Sequence, residues 1–271
     1  MCMYDHHHRS RRIRTWKHFS RYVRAKGVQL LQRLDDFPDS VLVTGCQRSG
    51  TTMLAHVITQ SDGMVSYSSK RSNELDAALI LCGYVNYKQS GRHCFQTTYL
   101  DGSYKEYFDH PAGYKVIWMV RNPFSVVYSL TYNWKRFALN ELFKGCGAQL
   151  LSETAHRWYL RFGSFVISPL RRACLSYNGK LSQVFELMDR LAPGMLMVVD
   201  YDNLARNNDK NLKKIYEFID LPYKIQYASA IHAHSLNNAA RLSKRELAII
   251  QEYCYPIYEK ARQLIHWQLK T

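Results

Sequence analysis

Residues 41–54 read VLVTGCQRSGTTML. A short β-branched run enters Gly45, and Met53, Leu54, Val57 and Ile58 then recur at helical spacing. Strand, glycine loop and helix together make an anion site. The first amides of a helix lack intrahelical partners, the helix dipole adds partial positive charge, and glycine lets the backbone wrap the anion. Here the amides around Gly50, Thr51 and Thr52 would serve, with both threonine hydroxyls as further donors. A nucleoside-triphosphate loop would carry Lys at the position of Thr51 and use a hydroxyl to hold magnesium. In this chain the cation is Arg48, at the tip of the loop. A guanidinium there suits the oxygen that bridges a phosphate to a leaving group, so Arg48 is a candidate for catalysis as well as binding. A ligand less charged than a triphosphate fits this arrangement without a metal.

Residues 116–129, VIWMVRNPFSVVYS, hold a second constellation. Arg121 falls at the carboxyl end of a buried strand, Lys115–Val120, and Ser129 lies eight residues on, in a helix opened by Pro123 and predicted to run to about Arg136. Ligands of open α/β sheets bind beyond the carboxyl ends of the strands, so Arg121 points to the same edge as the Gly45 loop. An arginine fork and a hydroxyl form a second anion site. Two separate anion sites on one edge imply a nucleotide phosphorylated at two places.

The elements that must position these residues alternate. Strands are predicted over Val41–Thr44, Lys115–Val120 and Met195–Val199, with helices after Gly50, after Pro123 and over Asn211–Ile219, the last stopped by Pro222. Ser243-Lys-Arg-Glu246 is a capping box that opens a C-terminal helix toward Leu264. The alternation predicts a single α/β domain over 39–271, of phosphate-loop type, its parallel sheet covered by helices on both faces. Residues 1–38 form a basic N-terminal segment, helical in pattern, with Val28–Leu34 as the helix tail; such a segment can rest on a membrane surface or grip a polyanion. Arg136–Leu150, with Gly145 and Gly147, reads as a mobile excursion or lid.

Bulk properties limit the partners. The 271 residues are 46% hydrophobic and carry a formal net charge of +15, which favours anionic ligands. No apolar run is long enough to span a membrane, and no apolar segment follows the basic N-terminus as in a secretory leader. The seven cysteines are scattered and odd in number, as expected of reduced thiols in a cytoplasmic protein. His6, His7 and His8 lack the spacing of a zinc site.

Taken together, GCQRSGTT at Gly45–Thr52, RNPFSVVYS at Arg121–Ser129, and VDYDNL at Val199–Leu204 followed by NLKKIYEFIDLP ending at Pro222 resemble the sulfotransferases that use 3′-phosphoadenosine 5′-phosphosulfate. The resemblance spans about Val41 to Pro222 and favours the broad bacterial, carbohydrate and protein-tyrosine group. The Arg-Lys-Gly triplet of the small-molecule branch is missing, and HSLNNAARLS, with Arg241, stands after Pro222 instead. What the resemblance implies is a sulfonate transfer to a hydroxyl or amine of an acceptor, with adenosine 3′,5′-bisphosphate as product and no metal. It implies that Gln47, Arg48, Ser49, Gly50, Thr51 and Thr52 hold the 5′-phosphosulfate, that Arg121, Ser129 and Arg241 hold the 3′-phosphate, and that Tyr201 lies near the adenine. The general base is expected in the window 64–75, where Glu74 is the one carboxylate; Asp76 and His93 are alternatives. An acidic polysaccharide suits the charge as acceptor, peptide tyrosine and small alcohols stay open, and no nucleic acid is expected. The competing readings are a phosphate-loop nucleotide kinase, disfavoured by Thr51 in the lysine position, and a nucleic-acid-binding protein, which leaves both anion motifs unexplained.

Overall fold

The computed structural model describes residues 13–68, 74–111, 113–231 and 236–268, the side chains of 236–238 and 266–268 excepted. Four strands, β1 (Ser40–Gly45), β2 (Cys94–Gln96), β3 (Tyr114–Val120) and β4 (Leu196–Asp200), form one parallel sheet in the order β2-β1-β3-β4. The chain leaves β1 toward β2 on one side and returns to β3 on the other. The carboxyl ends of β1 and β3 therefore flank the point where strand order reverses, which is where open α/β sheets bind ligands.

Successive strand residues face opposite ways, and both sides are apolar. Leu42, Phe95, Val116, Trp118 and Val198 face one core, while Val41, Val43, Cys94, Ile117, Met119 and Val199 face the other. The first core is covered by α1 (Trp16–Lys26), α3 (Glu74–Leu81), α4 (Pro123–Tyr128), α7 (Pro169–Leu181), α8 (Gln183–Arg190) and α11 (Lys244–Gln268). The second is covered by α2 (Thr51–Thr59), α9 (Tyr201–Arg206) and α10 (Asn208–Phe218). Of two further helices, α5 (Arg136–Leu142) adds Leu139 and Leu142 to the first core, and α6 (Glu153–Phe162) rests on a small satellite core. The doubly covered parallel sheet is the architecture that the alternation of elements predicts.

Local chemistry sets the helix ends. Asn122 caps α4 by accepting from the Phe124 amide at 2.9 Å, ahead of Pro123 in the first turn. The capping box is present: the Ser243 hydroxyl accepts from the Glu246 amide at 3.3 Å, and the Glu246 carboxylate accepts from the Ser243 amide at 2.8 Å. The helix after Pro123 is shorter than its pattern suggests. It ends at Tyr128, widens into a π-turn over Ser129–Asn133, and breaks at an extended Trp134 before α5 begins. Such widened turns often mark functional positions, and this one starts at Ser129.

Two expectations for the outer segments are overturned. Val28–Leu34 does not continue the basic helix, because α1 stops at Gly27 in the left-handed region, with φ of 60°. Leu30, Leu31 and Leu34 are buried in the main core, and Arg33 donates to the carbonyls of Val85 and Tyr87 at 3.3 and 3.2 Å. The apolar side of α1 also packs inward, through Phe19 and Trp16. Nor is Arg136–Leu150 a loose lid: it is helical throughout, and Leu139, Leu142, Phe143 and Cys146 are buried. Its glycines serve close packing against α7 and the segment after β2. Leu31→Ala should therefore destabilise the fold by about 2–5 kcal/mol in urea unfolding; a loss within about 0.5 kcal/mol, as at a solvated surface position, would contradict the docking of this segment.

Candidate active site

The loop between β1 and α2 turns through two left-handed residues, Arg48 at φ of 72° and Gly50 at φ of 87°. A Cβ on Gly50 would stand 2.2 Å from the Tyr201 ring, and one on Gly45 would stand 2.4 Å from the Met119 carbonyl oxygen. Both positions therefore demand glycine. Ser49 is buried, and its hydroxyl has no hydrogen-bond partner among the described residues. An orphaned buried hydroxyl in a ring of helix-start amides is the arrangement a bound anion would satisfy. The Gln96 amide donates to the Thr51 and Thr52 hydroxyls at 3.2 and 3.0 Å, leaving each hydroxyl its own proton to donate. Gln47 is committed elsewhere, donating to the Thr98 carbonyl at 3.0 Å and to the Asp101 carboxylate at 2.8 Å. It anchors the loop to the segment that follows β2.

The two anion motifs, 81 residues apart at their contact, meet in space: Arg48 Nε donates to the Ser129 hydroxyl at 2.8 Å. Arg121 Nη1 donates to the Arg48 carbonyl at 2.8 Å. Arg121 itself is buried, with its guanidinium 4.3 Å from the centre of the Tyr201 ring and its Nε 4.0 Å from the Asp202 carboxylate. Tyr177 fixes the Arg121 backbone by donating to its carbonyl at 2.9 Å. Tyr201 thus lies between Gly50 and Arg121, a bridge between the two motifs. Arg241 ends a short 3₁₀ segment, Leu236–Arg241, that packs against α4, and its side chain is exposed. The preceding His234 and Ser235 lie outside the described residues.

Glu74 opens α3, and its carboxylate accepts from the Thr98 hydroxyl. Burial pushes its pKa up to about 7; the nearby Asp101 charge adds to the rise, while the Thr98 hydrogen bond and Lys180 oppose it. Asp101 is likewise raised, to about 6, first by burial and against the pull of Lys180 and Gln47. Asp76 instead accepts from the Ser68 hydroxyl at 2.7 Å. His93 is removed as a base: it is fully buried among Phe37, Tyr87 and Phe95, with its ring nitrogens 3.1 and 3.2 Å from the Val65 and Gln89 carbonyls.

Sequence reasoning missed Gln96, Thr98, Asp101 and Lys180. Lys180 is fully buried, 3.7 Å from the Asp101 carboxylate and 3.2 Å from the Thr98 carbonyl. Asp101 takes an unusual backbone conformation, φ 41° and ψ −112°. β2 is only three residues long and leaves almost no periodic signal. Among the described residues no cluster of three or more His, Cys, Asp and Glu could hold a metal.

With this geometry established, the sulfotransferase domain family accounts for residues 38–247, most of the chain. The chain belongs to that family of transferases. No curated protein sequence matches it. Solved structures similar to it include the sulfotransferase domain of the Synechococcus PCC 7002 olefin synthase (13% identity, 80% of this chain and 94% of that one, TM-score 0.50). A sulfotransferase from Alicyclobacillus acidocaldarius is alike to the same degree (13% identity, 84% and 96% covered, TM-score 0.50). A mouse sulfotransferase complexed with PAP overlaps over 90% of this chain and 94% of its own at 14% identity and a TM-score of 0.44.

The Asp101–Lys180 pair has a measurable signature. Lys180→Met leaves a half-buried carboxylate without its cation and should cost about 1–3 kcal/mol in urea unfolding. Adding Asp101→Asn should restore part of that loss. If the double variant is no more stable than Lys180→Met, the two side chains are not coupled.

Proposed function

We propose that the protein moves the sulfonate of 3′-phosphoadenosine 5′-phosphosulfate to an acceptor hydroxyl or amine and releases adenosine 3′,5′-bisphosphate. The observation that carries this reading is the pairing of two anion motifs on one sheet edge, tied together by Arg48 to Ser129 and by Arg121 to the Arg48 carbonyl. One phosphate group alone would not need both. In this reading the Gly45–Thr52 loop takes the 5′-phosphosulfate, Arg121 and Ser129 take the 3′-phosphate with Arg241 at its rim, and Tyr201 borders the nucleoside.

In the reaction the acceptor atom attacks sulfur, the bond from sulfur to the bridging oxygen breaks, and negative charge collects on the departing phosphate. Arg48, at the loop tip, stabilises that charge as it develops. The acceptor loses its proton to Glu74, whose pKa near 7 suits a base at neutral pH. Thr98 orients the Glu74 carboxylate, and Lys180 with Asp101 holds Thr98 and Gln47 in place. The net charge of +15 supports an anionic acceptor such as an acidic polysaccharide. The six described cysteines are all buried free thiols, which suits a reducing, cytoplasmic setting. No described helix is long and apolar enough to cross a membrane.

The two arginines should fail differently. Arg121 meets a phosphate remote from the reacting sulfur but also holds the Arg48 carbonyl, so Arg121→Ala should raise the donor KM by about tenfold to a hundredfold and lower kcat by less than Arg48→Ala does. Arg48→Ala should lower kcat by on the order of a hundredfold or more, with product affinity falling less. Ser129→Ala, which removes a partner of Arg48 as well as a phosphate donor, should move both constants. Steady-state kinetics at saturating acceptor, with calorimetric titration of the bisphosphate, separates these outcomes, and a near-normal kcat in Arg48→Ala contradicts its assigned role.

The base should be visible in the pH profile. The active form of Glu74 is the carboxylate, so kcat/KM should rise as pH increases through about 7 and level off above it. Glu74→Gln should lower the rate by about 10²- to 10⁴-fold and abolish that limb. A limb that persists in Glu74→Gln assigns the proton to another group.

A further inference from the structure

Helix α6 is built as though something covered it. None of its ten residues is buried. It rests on the domain through Tyr159, which meets Phe143 edge-on at 5.4 Å over a small satellite core. Large apolar side chains are left exposed along both of its flanks: Trp158 is 52% exposed, Leu160 70% and Phe162 46%. The following turn continues the patch with Phe165, 81% exposed, and Val166, 46%. Most of the large apolar side chains exposed among the described residues fall in or beside this stretch. A patch of this kind marks an interaction surface.

Charge identifies what would cover it. Arg157 and Arg161 lie one helical turn apart on α6, Arg136 borders the turn after it, and Glu153 is the only acid in α6. The guanidinium of Arg161 lies 5.2 Å from the centre of the Phe162 ring, and that of Arg136 lies 5.5 Å from the centre of Phe165. Trp158 stacks on Phe162 at 5.2 Å. The flat ring faces are thus engaged within the protein, which disfavours stacking on a sugar. An isologous contact between two copies of α6 would set these arginines against one another. Ring edges and aliphatic tips that insert shallowly, flanked by arginines at the level of lipid phosphates, are the chemistry of a helix lying in a membrane interface. The basic side of α1 adjoins the same region, because Arg24 pairs at 3.1 Å with Glu141, which with Leu160 lines a shallow hollow between α5 and α6.

We propose that α6 and the turn after it, Glu153–Val166, dock the protein on an anionic lipid bilayer. The arginines give the preference for negative headgroups, and Trp158, Leu160, Phe162 and Phe165 give the insertion. Catalysis does not enter this inference, so its test needs no turnover. The intact chain is floated with vesicles of phosphatidylcholine alone and of phosphatidylcholine mixed with phosphatidylserine, at low and at high salt.

The expected result is flotation with the mixed vesicles that weakens as salt rises. Phe165→Asp with Leu160→Asp should reduce it tenfold or more while leaving the melting temperature unchanged, since both side chains are exposed. Arg157→Gln with Arg161→Gln should abolish the preference for phosphatidylserine. Three results would each overturn the proposal. The first is no flotation with mixed vesicles at low salt. The second is flotation unaffected by the α6 variants but lost with Lys17→Gln and Arg21→Gln on α1. The third is a dimer in sedimentation that the Phe165→Asp variant dissociates.

Discussion

The buried guanidinium of Arg121 is the group on which both halves of the site depend. A charge removed from water must be fully partnered or the fold gives way around it. Arg121 finds partners in two separate parts of the chain, the Arg48 carbonyl in one and the Tyr201 ring and Asp202 carboxylate in the other. Each partner fixes something functional. The first holds the loop tip in its left-handed turn, the second closes the ring against Gly50, and the third ties the end of β4 to the start of α4, where Asp202 also accepts from the Asn122 amide at 3.1 Å. Strand register makes this possible, because Gly45 of β1 is level with Met119 of β3, two residues before Arg121.

A second buried cation organises the opposite wall. Lys180 stands among Asp101, the Thr98 carbonyl and the ring of Trp118, at 5.9 Å from the ring centre. Without it, Glu74 and Asp101 would be two nearby carboxylates in a low-dielectric site and would hold their protons more tightly still. Burial raises both, the Asp101 charge adds to the rise of Glu74 and the Glu141 charge to that of Asp101, and Lys180 pulls both back. The balance leaves Glu74 titrating near neutrality rather than locked in its acid form. Gln47 joins this wall to the phosphate loop through Asp101, so the proposed base and the proposed electrostatic catalyst share one hydrogen-bonded frame.

The charge of the chain is spread unevenly over this frame. Arg121 and Lys180 serve the interior, whereas Arg48 and the basic residues of α1 and α6 are at the surface. The apolar side of α1 is spent on the core through Trp16 and Phe19, and that of α6 is not. Two helices of similar amphipathic pattern are thus covered to different degrees, and only packing separates them.

Much of the candidate site was legible in the sequence. The Gly45–Thr52 loop, the Arg121–Ser129 spacing, Asn122-Pro123 and the Ser243–Glu246 box are local devices, in which a few adjacent residues determine backbone shape, so sequence alone determined them. The alternating strands determined a doubly covered parallel sheet for the same reason. Other features required distance in sequence to become proximity in space. Nothing near Arg48 says that its partner is Ser129, and nothing near Glu74 names Thr98 or Lys180. His93 is a plausible base by type, and only its aromatic enclosure removes it. A three-residue β2 is below what periodicity can show, yet it delivers Gln96 and Thr98 to the loop. The direction in which an amphipathic helix turns its apolar side was likewise decided by tertiary structure alone, because a sequence pattern records that a face exists and not whether the fold or a partner covers it.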